Sequence, residues 1–163
     1  MKVLENKLSN SLYECKQHKK RINWAYQKMQ AQLPLTLTSY NNFDEDTIEH
    51  IDQFLFRFAK LQDTLGEKVF PTLLLLLSET ISNKPFIDIL NRLEKLELLY
   101  KDDWLELRQI RNAVAHEYSF NSQEIVDSLN SIYGAYNKLI SIYDNFYDYC
   151  VERFAFIKNN PDL

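Results

Sequence analysis

Two glycines and four prolines are all that punctuate 163 residues, and that scarcity constrains the fold more than anything else in the chain. A sheet protein needs turn signals roughly every eight to twelve residues, and glycine supplies the positive φ on which many of those turns depend. Without them, Leu, Glu, Lys, Gln and Tyr run uninterrupted, and long helices fit far better than hairpins. The chain reads as all-α. A hydrophobic content of 45% is enough for one folded core at this length, so a single domain over residues 1–163 is expected.

Apolar periodicity places the helices. Leu4, Leu8, Leu12, Cys15, Ile22, Tyr26 and Met29 recur at three- and four-residue steps, which predicts a first helix over about 3–32 that Pro34 terminates. Asp46-Thr47-Ile48-Glu49 resembles a capping box and opens a second helix. Its buried side is expected to use Ile48, Ile51, Leu55, Phe58, Leu61 or Gln62, and Leu65, with a bend near Phe70 because Pro71 lacks the donor a helix interior needs. The nearly all-apolar run over 72–81 should lie deep in the core or under a partner. Pro85 starts a short helix over about 86–98, Asp103 caps another, and Asn121 caps a last helix as long as the first. Its seam of Ile125, Leu129, Ile132, Tyr136, Leu139, Tyr143, Phe146, Cys150 and Phe154 is close to a heptad repeat. The expected architecture is an up-and-down helical bundle of four to five helices with a bent middle helix.

A net charge of −4 and a pI near 5.4 argue against a protein that coats nucleic acid, since such domains usually present a strongly basic face. A smaller RNA-contacting cleft stays compatible with it. Lys16, Lys19, Lys20 and Arg21 form one basic spot, which reads most simply as a solvated helix face. Cys15 and Cys150 have no metal-type spacing and read as buried free thiols. The three histidines are scattered, so no metal site and no cofactor are expected. No segment is apolar over the roughly 20 residues a membrane span requires, and no leader pattern opens the chain. The expectation is a cytoplasmic protein without membrane contact.

One segment concentrates reactive chemistry: Arg111-Asn112-Ala113-Val114-Ala115-His116-Glu117-Tyr118. At helical pitch Arg108, Asn112 and His116 stack at four-residue steps, and Arg111 and Tyr118 fall on a neighbouring line. Leu107, Ile110 and Val114 project elsewhere as the core stripe. Guanidinium grips phosphate oxygens in a fork, and imidazole titrates near neutrality. Asn112 can fix the ring of His116. Such a set suits cleavage of RNA by its own 2′-hydroxyl, with imidazole moving a proton and guanidinium stabilising charge on the phosphorane, without a metal. The same residues also fit a polar helix face that does no more than solvate the protein.

The run Arg111-Asn112-Ala113-Val114-Ala115-His116 resembles the R-x4-H motif of the HEPN superfamily of small helical bundles. Tyr118 extends it to R-x4-H-x-Y, the form of the HepT-like toxins that are encoded beside a minimal nucleotidyltransferase antitoxin. The segments 57–64, 91–96 and 104–110 are similar to the same branch, so the resemblance covers roughly Ile48 to Tyr118.

That resemblance implies a metal-independent endoribonuclease toxin of a type II- or VII-like toxin–antitoxin pair, with Arg111 and His116 catalytic and Asn112 and Arg108 supporting. It implies that a nucleotidyltransferase antitoxin silences the toxin by adenylylating Tyr118, setting a bulky anion beside the RNA cleft. It further implies a homodimer whose facing motif helices form one cleft, which would concentrate Arg108 and Arg111 locally in an acidic chain. The alternative is a non-catalytic subunit that presents a nucleotide or substrate to a nucleotidyltransferase, with Arg111 as an anion clamp.

Overall fold

Leu8, Leu12, Cys15, Ile22 and Met29 lose all exposure along one side of the first helix, α1 (Lys2–Met29), as the apolar stripe requires. The computed structural model describes residues 1–114 and 121–163, and among these every regular element is helical. A short 3-10 turn, Gln30–Gln32, closes α1 ahead of Pro34. The linker that follows holds α2 (Leu37–Asn41), a one-turn helix stapled by a reciprocal capping box between Thr36 and Ser39. Asn130 fastens this linker to the far side of the bundle: its amide accepts from the Leu35 N–H at 2.7 Å and donates to the Leu35 carbonyl at 2.9 Å.

The second long helix, α3 (Glu45–Thr64), starts two residues earlier than its expected cap. Asp44, rather than Asp46, accepts the Thr47 N–H at 2.8 Å. Phe54 takes the core position expected of Leu55, and Ile48 is left half exposed. His18 of α1 meets Arg57 of α3, and Glu14, one turn earlier in α1, meets Lys68 in the turn that follows α3, so the two helices are antiparallel.

The expected bend takes the form of a π-helical turn over Leu65–Val69, in which Phe70 N–H bonds back to Leu65 O. Pro71 has no N–H to give the ordinary ladder, and a widened turn absorbs the missing bond. The chain continues as α4 (Phe70–Leu76). Of the apolar run, Leu73, Leu74 and Leu76 are buried within the chain's own core, and Leu75 alone of these leucines is substantially exposed, at 40%. The first half of the run belongs to the core, and the part beyond Leu77 does not.

The remaining helices are α5 (Phe86–Lys95), α6 (Lys101–Val114), α7 (Ser122–Gly134), α8 (Tyr136–Arg153) and α9 (Ala155–Lys158). The segments therefore outnumber the expected four to five, because one anticipated long helix is divided and two short ones are added. The division falls at Gly134 and Ala135, where Ala135 N–H reaches both Ser131 O and Ile132 O and the ladder tightens before α8 begins. Asn121 caps α7 as expected, accepting from the Gln123 and Glu124 N–H groups.

Aromatic stacks join the layers. Phe54 stacks on Tyr133 at 4.2 Å and Tyr26 on Tyr136 at 4.1 Å. Phe70 contacts both Phe146 and Trp104 within 5 Å. Offset ring pairs of this kind add to the area they bury, and they tie α1, α3, α4, α6, α7 and α8 into one core. Lys19–Asp144 and Lys138 with Asp103 and Glu106 fasten α8 to α1 and α6 from outside.

Candidate functional site

Helix α6 carries the candidate residues, and its sequence explains its placement. Asp102 and Asp103 sit in its first turn, where carboxylates favour the positive end of the helix dipole. The Lys101 N–H donates to Glu94 Oε2 at 2.8 Å. Trp104, Leu107 and Val114 are buried, and Arg108 and Arg111, one turn beyond Trp104 and Leu107, border that buried side, with Arg111 half-buried and Arg108 and Asn112 exposed.

Arg111 does not stand free. Its Nη1 donates to Asp63 Oδ1 and its Nη2 to Asp63 Oδ2 at 3.1 Å, a fork-to-fork pair between α6 and the last turn of α3. Both side chains keep about a third of their exposure, at 37% and 33%. The pair therefore orients the guanidinium more than it stabilises the fold. A guanidinium has five N–H donors, so those not facing Asp63 stay available to a ligand.

Arg111, Asp63 and Arg108 line a cavity of about 430 Å³ whose walls include Phe86, Trp104 and Gln62. Arg108 lies with its guanidinium carbon 5.4 Å from the centre of the Phe86 ring, which holds the cation at the rim. Gly66, in the π turn, lets Trp104 approach: a Cβ there would meet Trp104 Cζ2 at 3.1 Å. Gln62 is 3% exposed, and among the described residues neither its amide nitrogen nor its amide oxygen has a partner. Such a group costs about 1–3 kcal/mol when left unsatisfied, and it sets an unused donor and acceptor against the cavity.

Charge at this cavity is balanced. Arg108 and Arg111 are offset by Asp63 and by Glu67, which also lines it. Any anion bound there would be held by directed N–H groups rather than by net positive potential. A larger hollow of about 780 Å³ lies between the α5–α6 connection and α8. Its lining includes Glu94, Glu97 and Asp103 against Lys138 alone, which disfavours phosphate.

The structure thus brings Arg108 and Arg111 to one cavity and leaves Asn112 exposed beside them. His116 and Tyr118 lie outside the described residues. Asp63, Gln62, Phe86 and Trp104 complete the cavity without having been singled out as its parts. Arg57 and Lys60, on the same helix as Asp63, do not line it. The available signal was position, since Asp63 ends the turn immediately before the Pro71-induced widening.

Cys15 and Cys150 are buried free thiols, and burial pushes both up, Cys150 to about 12. They are unsuited to nucleophilic work at neutral pH. Among the described residues no group of three His, Cys, Asp or Glu side chains could hold a metal ion, and no helix is long and apolar enough to cross a membrane. Comparison with protein-family models, curated proteins and solved structures finds no match.

Proposed function

We propose that this protein is a metal-independent endoribonuclease toxin in which Arg111 and His116 act on a phosphodiester and a nucleotidyltransferase antitoxin controls Tyr118. The observation that carries the reading is the Asp63–Arg111 pair, which holds a guanidinium at the mouth of a cavity, on the helix in which the R-x4-H-x-Y sequence begins. In the proposed reaction the ribose 2′-oxygen forms a bond to phosphorus and the bond to the 5′-oxygen breaks. His116 moves the proton, and Arg111 stabilises charge on the equatorial oxygens. The products would be a 2′,3′-cyclic phosphate and a 5′-hydroxyl. A homodimer that pairs two motif helices would double the donors in the cleft.

Expression without the antitoxin tests this. Growth arrest with RNA degradation is expected, and both should disappear in His116→Ala and Arg111→Ala. Toxicity that persists undiminished in His116→Ala would refute it. Co-expression with a nucleotidyltransferase from the same locus should add one adenylate to the intact mass, and Tyr118→Phe should abolish that addition.

A second reading is favoured by the cavity walls. Phe86 offers a half-buried ring, the edge of Trp104 an apolar wall, and Gln62 an amide without a partner among the described residues, which suits a nucleobase. On that account the chain would present a nucleotide to a nucleotidyltransferase without cutting RNA. Mononucleotide binding together with no cleavage by the unmodified protein would select it.

A further inference from the structure

The basic run over 16–21 does not survive folding as one patch. Lys16 donates to the Asp162 backbone carbonyl at 2.9 Å, and Lys19 pairs with Asp144 at 2.7 Å. Lys20 stands one turn beyond Lys16, and Arg21 is turned by about 100° from Lys20 around α1. Arg21 is close enough to α3 to act electrostatically on both Arg57 and His18. Arg57 Nη1 lies 3.1 Å from His18 Nδ1, and Lys60 sits one turn further along α3.

Among the described residues no carboxylate forms an ion pair with Lys20, Arg21, Arg57 or Lys60, and Arg57 Nε is buried without a partner. Like charges crowded in this way raise the free energy of the bare protein and favour an anion.

Two aromatic rings stand among these cations. Trp24 is 53% exposed and Phe56 50%, although both are large enough to reward burial. The Lys20 ammonium lies 5.3 Å from the centre of the Trp24 ring. Phe56 has Arg57 at 5.0 Å and Lys60 at 5.5 Å. Ring faces alternating with cations are the chemistry by which single-stranded nucleic acid is held, bases on the rings and phosphates on the cations. An acidic peptide would have nothing planar to place on Trp24 and Phe56. An anionic membrane would call for a broad continuous apolar face, where this surface offers two rings each with a cation over it.

The position of the patch also matters. Phe56, Lys60 and Asp63 follow one another at four- and three-residue steps on α3, so the face leads along about 10 Å of helix axis to the Asp63–Arg111 pair.

We propose that the outer face of α1 and α3, built from Lys20, Arg21, Trp24, Phe56, Arg57 and Lys60, is a docking surface for single-stranded RNA that feeds the Arg111 cavity. The choice of RNA over DNA rests on the proposed nuclease function. This surface adds four cations to a cavity whose own charges cancel.

The test is fluorescence anisotropy with labelled oligouridylate and oligoadenylate, using the full chain carrying His116→Ala so that the strand stays intact. Trp24→Ala and Phe56→Ala should each weaken binding at least about fivefold, the low end for a lost base stack. Replacing Lys20, Arg21 and Lys60 together by Ala should lower the slope of log affinity against log salt by about 2, at roughly 0.7 per phosphate contact. The Lys16→Ala, Lys19→Ala pair should leave that slope nearly unchanged. All of these positions are on the surface, and unchanged thermal melts would exclude misfolding.

RNA binding that is indifferent to the patch variants would overturn the docking surface and leave the nuclease reading standing. Patch-dependent binding in a protein whose unmodified form cuts no RNA would support the surface and sink the nuclease. Absence of RNA binding, or equal binding to polyglutamate or to phosphatidylserine vesicles, would overturn the proposal.

Discussion

Replacing Asp63 by Asn keeps the shape of the side chain that holds Arg111 and removes its charge, so it separates orientation from electrostatics at the site. Both partners are about a third exposed, and solvent screening limits the loss of stability to about 1 kcal/mol or less. For a domain of this size that is a fall in Tm of about 2–4 °C. The functional consequences should run in opposite directions. Removing a carboxylate that shares a guanidinium with phosphate relieves a repulsion of about 1 kcal/mol, taken for charges several ångströms apart in a largely aqueous setting. RNA should therefore bind about threefold to fivefold more tightly. Chemistry should slow, because a guanidinium displaced by about 1 Å can lose on the order of a hundredfold in rate. Single-turnover cleavage across a range of enzyme concentrations reads both quantities at once. Unchanged affinity with an unchanged rate, or weaker binding at an unchanged rate, would refute the assignment of Asp63 as the residue that positions Arg111.

Three further expectations concern the fold. Asn130→Ala removes both hydrogen bonds to Leu35, which is buried. Leaving that backbone unsatisfied should cost about 2 kcal/mol, read as a fall of about 4–8 °C in a calorimetric melt. At Gly134 an added Cβ meets nothing within 4 Å, so Gly134→Ala should raise stability by about 0.5–1 kcal/mol in denaturant titration; a loss would show that the α7–α8 junction needs the glycine. His18 is held below its usual value by burial and then by Arg57, with Lys60 and Arg21 adding to it against Glu14. The unfolded chain therefore binds more protons at this site than the folded one, and stability should decline as pH falls through about 6.5 and level off below the folded value. His18→Gln should flatten that part of the decline.

Much of the fold was legible because apolar spacing carries it. The stripe of α1, the disruption before Pro71 and the Asn121 cap all follow from local rules, and all occur. What escaped was set by context. The helix ends after α4 and α5 are turned by Ser78 and Glu97 in the left-handed region, at φ 64 and 61°. Glycine would normally announce such ends, and neither position has one. Ser122–Gly134 and Tyr136–Arg153 read as one helix because their seam continues through Gly134, and only the tightened hydrogen bonds at Ala135 reveal the division.

At the site, helical spacing placed Arg108 and Arg111 on one side of α6, but nothing local says that Asp63, 48 residues earlier, engages Arg111. The basic run was misleading for a related reason. Its adjacency in sequence joined Lys16 and Lys19, which turn to the C-terminal segment and to α8, with Lys20 and Arg21, whereas the cationic and aromatic face also needs α3, which only tertiary packing brings beside α1.

The central claim is that Arg111 and His116 cleave RNA without a metal. Incubating purified protein with end-labelled RNA in excess EDTA tests it most directly. The account predicts fragments ending in 2′,3′-cyclic phosphate, lost in both Arg111→Ala and His116→Ala at unchanged helix content. Intact RNA with the unmodified protein, or equal cleavage by His116→Ala, would contradict it.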